Sequence, residues 1–84
     1  MKINVDVPLM KQQAKDLLLN DTYMKYEFVG IEGTFMQFEV TAPADFTGDV
    51  VEYTKKQIKN TDWGVFTAFR VLHVGQMYSG QRNY

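Results

Sequence analysis

Apolar and polar residues alternate at the start of the chain: Ile3, Val5 and Val7 are separated by Asn4 and Asp6. A two-residue period marks a strand with one buried face. Pro8 interrupts it and suits the first turn of a helix. Met10, Ala14, Leu17 and Leu18 then recur at helical spacing, with Lys11, Gln12, Gln13, Lys15 and Asp16 on the other side. Asn20-Asp21-Thr22 ends this helix, because all three residues favour caps and turns.

Tyr23 to Thr41 reads as a hairpin. A three-residue loop, Ile31-Glu32-Gly33, uses Gly33 in the left-handed position and closes with a bulge. It pairs Gly30 with Thr34, Phe28 with Met36, Tyr26 with Phe38 and Met24 with Val40, which gathers the apolar residues on one side. Val29 with Phe35, Glu27 with Gln37, and Lys25 with Glu39 fall on the other, the last an opposite-charge pair. A two-residue loop slips the register by one and mixes Lys25 with Phe38 on one face. The three-residue loop is therefore expected.

Ala42-Pro43-Ala44-Asp45 ends the hairpin, and a second helix follows. Thr47 is the expected N-cap, with Phe46 and Val51 as a hydrophobic staple. Asp49 and Glu52 lie near its start and Lys55, Lys56 and Lys59 near its end, as the helix dipole favours. Val50, Val51, Thr54 and Ile58 form its inward stripe. Asn60-Thr61-Asp62 stops it. Trp63, expected to plug the core, leads with Gly64 into a last strand over Val65 to Val74. Residues 1–75 form one domain in this reading, and 76–84 a polar C-terminal tail.

The order strand, helix, strand, strand, helix, strand is that of an α+β, ferredoxin-like βαββαβ domain. It predicts a four-stranded antiparallel sheet in the order 4-1-3-2, with both helices on one face because the crossovers are right-handed. The other face is then left to Lys2, Asn4, Asp6, Lys25, Glu27, Val29, Phe35, Gln37 and Glu39. The last strand is apolar on both sides, with Phe66, Ala68, Leu72 and Val74 beside Arg70 on one of them. At a sheet edge, that pattern predicts an apolar stripe that something must cover. A second copy of the chain, a foreign protein and the chain's own tail are the three candidates.

Composition removes whole classes of chemistry. With 84 residues the chain is one small domain. It has no cysteine, so disulfides, thiolate metal sites and cysteine nucleophiles are excluded, and its one histidine cannot build a multi-histidine metal site. No metal and no cofactor is expected. No apolar run approaches the roughly 20 residues of a membrane span. No signal-peptide core is read at the N-terminus, so the expected location is cytoplasmic. Nine basic and ten acidic side chains give a net charge of -1, with no basic excess of the kind that phosphate contacts require.

The chemical motifs that such a fold can carry do not fit this chain. RNA-recognition domains stack bases on aromatics at alternate positions of the third strand, whereas Phe35 and Phe38 are three apart and point to opposite faces. Acylphosphatase chemistry needs an arginine in a glycine-rich cradle after the first strand, where this chain has Val7-Pro8-Leu9-Met10. Amino-acid-sensing domains often place a glycine turn there instead of Pro8. His73 is the chain's one histidine; catalysis would require a nucleophile and an orienting partner beside it, and a single histidine late in a strand reads instead as a sheet-edge residue.

No family resemblance emerges. The expectation is a non-enzymatic protein-interaction or regulatory module that acts through its open sheet face, most simply as a homodimer. A phage or mobile-element inhibitor of a host protein is one specific version. Val29, Phe35, Phe66, Arg70 and Leu72 are the expected contact residues, with Arg70 placed to pair with Glu27 or Glu39 across the interface. The alternatives are a small-ligand sensor with a pocket at a dimer interface, and a single-stranded nucleic-acid binder using Phe35 and Phe66.

Overall fold

Ile3, Val5 and Val7 are wholly buried, and the fold is built around the strand that carries Ile3 and Val5 and ends just before Val7. The structure is a computed structural model in which residues 1–74 are described; the expected tail, 76–84, lies outside them. The elements are β1 (Lys2–Asp6), α1 (Lys11–Leu19), β2 (Lys25–Glu32), β3 (Phe35–Thr41), α2 (Val50–Lys59), a 3-10 turn (Gly64–Phe66) and β4 (Arg70–His73). The sheet runs β2-β3-β1-β4, which is the expected order 4-1-3-2 read from the other edge. All its pairings are antiparallel.

Ala14 and Leu18 of α1 and Val50, Val51 and Ile58 of α2 share one core with Ile3, Val5, Val7, Met36, Phe38, Val40 and Val71. Both helices therefore lie against the same sheet face. The inner end of β2 joins through aromatic packing: Phe38 meets Tyr26 and Phe28 edge-on at 6.1 and 5.6 Å between ring centres. Among the described residues Thr54 is the one polar side chain that is wholly buried. Its hydroxyl donates to the Val50 carbonyl at 2.8 Å, so the Tyr26 hydroxyl, 2.7 Å away, must be the donor of their bond.

Three local expectations are corrected. The hairpin turns in two residues, with Glu32 opposite Phe35. Gly33 takes φ 63° in the first central position, where a type II′ turn uses glycine. The register slip that this loop entails is absorbed by an extra residue, Val29, between the pairs Phe28–Phe38 and Gly30–Gln37. The bulge returns Tyr26 and Phe28 to the core side. It also sets Glu27 opposite Glu39 and Lys25 opposite Thr41, in place of the expected Lys25–Glu39 pair.

The second helix starts later than expected. Gly48 adopts φ 115°, which no helix accommodates, and Asp49 caps the helix by accepting from the Val51 N–H at 3.0 Å. Thr47 is left in the loop. With the cap at Asp49, Phe46 no longer occupies the residue before the cap that a staple uses; it packs on Tyr23 and Tyr53, at 6.2 and 6.0 Å between ring centres.

The last strand is four residues long. Gly64 lodges against the end of α2, where its N–H donates to the Thr61 hydroxyl at 2.8 Å. The chain then folds into the 3-10 turn, which carries Val65 and Phe66 off the sheet. Trp63 is half-buried against the core.

Candidate interaction surface

Asn4 and Asp6 alternate with the buried residues of β1 and so belong to the face without helices. Phe35, Gln37 and Glu39 do the same on β3, Arg70 and Leu72 on β4, and Lys25 and Glu27 on β2. The strand order makes β1 interior, with β3 on one side and β4 on the other. Register sets Arg70 opposite Asp6 and Leu72 opposite Asn4. The Arg70 Nη2 donates to Asp6 Oδ2 at 3.1 Å, and its guanidinium carbon lies 5.0 Å from the centre of the Phe35 ring. Arg70 thus arches over β1, held by a carboxylate beneath it and a ring beyond.

This face is less open at its centre than the sequence implies. Asn4, Asp6 and Phe35 are 5%, 6% and 8% exposed, whereas the Arg70 side chain is 58% exposed. Two acceptors there, Asn4 Oδ1 and Asp6 Oδ1, are buried without a hydrogen-bond partner among the described residues. Each such group costs about 1–3 kcal/mol unless something satisfies it.

Where β1 ends and β4 begins, Asp6, Pro8, Ala68, Phe69 and Arg70 line a cleft of about 170 Å³. The segments that form its walls also carry the most exposed apolar side chains described, Leu9 at 82% and Phe66 at 86%.

The expected contact residues divide accordingly. Phe35 and Arg70 meet, and Leu72 lies half-buried on the same face. Val29 is exposed, but it sits at the bulge of β2, the opposite edge from β4. Phe66 is exposed and off the sheet. Phe35 and Phe66 therefore do not share a face on which bases could stack. Asp6 was not among the expected contacts, although its signal was present: alternation placed it on the helix-free face, and the predicted order placed its strand in the interior.

A second cluster gathers at the start of α2. Asp21 accepts from the backbone N–H groups of Tyr23 and Met24 at 3.1 and 2.7 Å, and from the Tyr53 hydroxyl at 3.1 Å. Tyr23 donates to Asp45 at 3.3 Å. The Tyr23 hydroxyl titrates above its ordinary value through desolvation, then through Asp45; burial and then Asp21 do the same for Tyr53. His73 Nε2 lies 2.7 Å from Asp49 Oδ1. Burial disfavours the charged Asp49 carboxylate, but the Val51 N–H, His73 and Lys55 outweigh it and hold the carboxyl below its usual range. These contacts tie the loop before β2, the loop before α2 and strand β4 together. Among the described residues no three His, Cys, Asp or Glu side chains are grouped to hold a metal ion, and no helix is long and apolar enough to cross a membrane. Set against protein-family models, curated proteins and solved structures, the chain matches none.

Proposed function

We propose that this chain is a small non-enzymatic interaction module of ferredoxin-like architecture, which works through its helix-free sheet face by pairing with a second copy of itself. One observation supports this above the others: the face carries an exposed cation at one edge and two facing carboxylates toward the other. Arg70 uses a single N–H on Asp6 and keeps most of its donors for another group. Glu27 stands directly opposite Glu39, a repulsive placement. An interface between identical copies needs one surface to complement itself, and a face with a projecting guanidinium at one edge and a carboxylate pair toward the other meets that need. Arg70 of each copy pairs with Glu27 or Glu39 of the other, while Leu72 and the rim of Phe35 lose water.

Sedimentation velocity over a wide concentration range tests this reading. A dimer is expected, and Arg70→Glu or Leu72→Glu should convert it to monomer without loss of helical circular dichroism. Combining Arg70→Glu with Glu27→Lys should restore association. A chain that stays monomeric at every concentration overturns self-pairing and leaves a foreign protein, such as the target of an inhibitor, as the partner of this face.

A further inference from the structure

We propose that the cleft between the end of β1 and the start of β4 binds a free α-amino acid with an apolar side chain. Every residue the site uses belongs to one copy, so binding does not require self-pairing, although the two share Arg70. The cleft measures about 170 Å³. That is below the roughly 300–1,000 Å³ of sites for drug-sized molecules, so its occupant is small. One side offers two opposite charges, Asp6 and Arg70, and the rest is Pro8, Ala68 and Phe69. Asp6 is 6% exposed and its Oδ1 has no hydrogen-bond partner among the described residues. Arg70 is the accessible member of the pair, with one guanidinium N–H committed.

A zwitterion matches this arrangement group by group. Its carboxylate accepts from the forked guanidinium N–H groups. Its ammonium donates to Asp6. Its side chain covers Phe69, Pro8 and Ala68. Arg70 ends in a long, exposed side chain, so its guanidinium can swing toward the ligand and uncover the carboxylate below. One internal ion pair is then exchanged for two, and no net charge is buried. A plain carboxylic acid leaves Asp6 unpaired once Arg70 turns away, and a plain amine leaves Arg70 unused. Both charged groups of the ligand are therefore required.

The test uses the full chain with leucine, with isocaproate (the same skeleton without the amino group) and with isoamylamine (without the carboxylate). Titration calorimetry and thermal unfolding should show leucine binding and a raised melting temperature. Neither analogue should bind at the same concentration. Asp6→Asn and Arg70→Gln should each weaken leucine about tenfold or more. Ala68→Trp should abolish binding by filling the cleft, and it keeps the test valid if Asp6→Asn fails to fold. The proposal is overturned if no apolar amino acid binds, if isocaproate binds as well as leucine, or if Ala68→Trp binds unchanged. Binding should persist in the Leu72→Glu monomer, so that failure of the cleft and failure of self-pairing are told apart.

Discussion

A side chain at position 64 has nowhere to go. A Cβ on Gly64 would lie 1.8 Å from the Ile58 carbonyl oxygen and 2.7 Å from the Thr61 hydroxyl, both fixed at the end of α2. Backbone must move to admit even a methyl group. Gly64→Ala is expected to cost about 2–3 kcal/mol, the upper part of the range for overpacking, measured by urea unfolding with Trp63 fluorescence. Thr54 makes a different demand. It gives its proton to Val50 and accepts the proton of Tyr26. Thr54→Val strands the Tyr26 O–H in the core and should cost about 1–3 kcal/mol, whereas adding Tyr26→Phe should recover part of that loss. The same pair governs alkaline behaviour. Burial pushes the Tyr26 hydroxyl from 10.0 up to about 12. The folded state therefore holds this proton more tightly than the unfolded state. Its contribution to stability is intact below the ordinary value and is lost as pH rises toward the folded one. Tyr26→Phe should flatten the alkaline limb of the stability profile.

At the scale of the element, α2 is set by what precedes it. Asp49 caps the helix and also meets His73 of β4, so one carboxylate fastens a helix to a sheet edge. Asp49→Ala should cost about 1 kcal/mol or more, since it removes a cap and a cross-element bond together. The folded state lowers the affinity of Asp49 for its proton. Its contribution is thus present above the ordinary carboxyl value and lost as pH falls through the folded one. Asp49→Ala should remove that acid-sensitive part, as thermal melts across the acid range would show. The cap also shows where local pattern stops being informative. Strand and helix identities were legible because alternation and helical spacing are local patterns, and from them came the strand order and the sidedness of β1 and β3. The helix start was not, because Thr47 and Asp49 both carry a side-chain oxygen that can cap, and the conformation of Gly48 decides between them. The bulge at Val29 was hidden because one inserted residue leaves the alternation intact on either side of it. Phe66 was misplaced because Val65 to Val74 is largely apolar, and the run conceals the turn that Gly64 makes against α2. For the site, alternation put Arg70 and Phe35 on one face. The cleft was illegible, since it joins the ends of strands that lie 64 residues apart at the Asp6–Arg70 contact.

In the whole molecule, a surface kept for stability and a surface kept for association make opposite demands on the same residue. Glu27 and Glu39 repel across β2 and β3, with Glu39 partly relieved by the Met1 amino group. The Glu39 carboxyl sits below its ordinary value chiefly through that hydrogen bond. For an isolated chain, lysine is the better residue at position 27, because it would meet Glu39 as an opposite charge. Glu27→Lys should therefore stabilise the monomer by about 0.2–1 kcal/mol in denaturant titrations at low protein concentration. If the carboxylate pair instead receives Arg70 of a second copy, the same substitution sets cation against cation and must weaken association. Sedimentation at high concentration should then show less dimer, more strongly so at low salt. Stability and association moving in opposite directions would mark Glu27 as a residue held for contact with a partner. A substitution that stabilises the chain and leaves its association unchanged would mark the pair as an incidental result of the Val29 bulge, and would take the acidic half of the proposed interface with it.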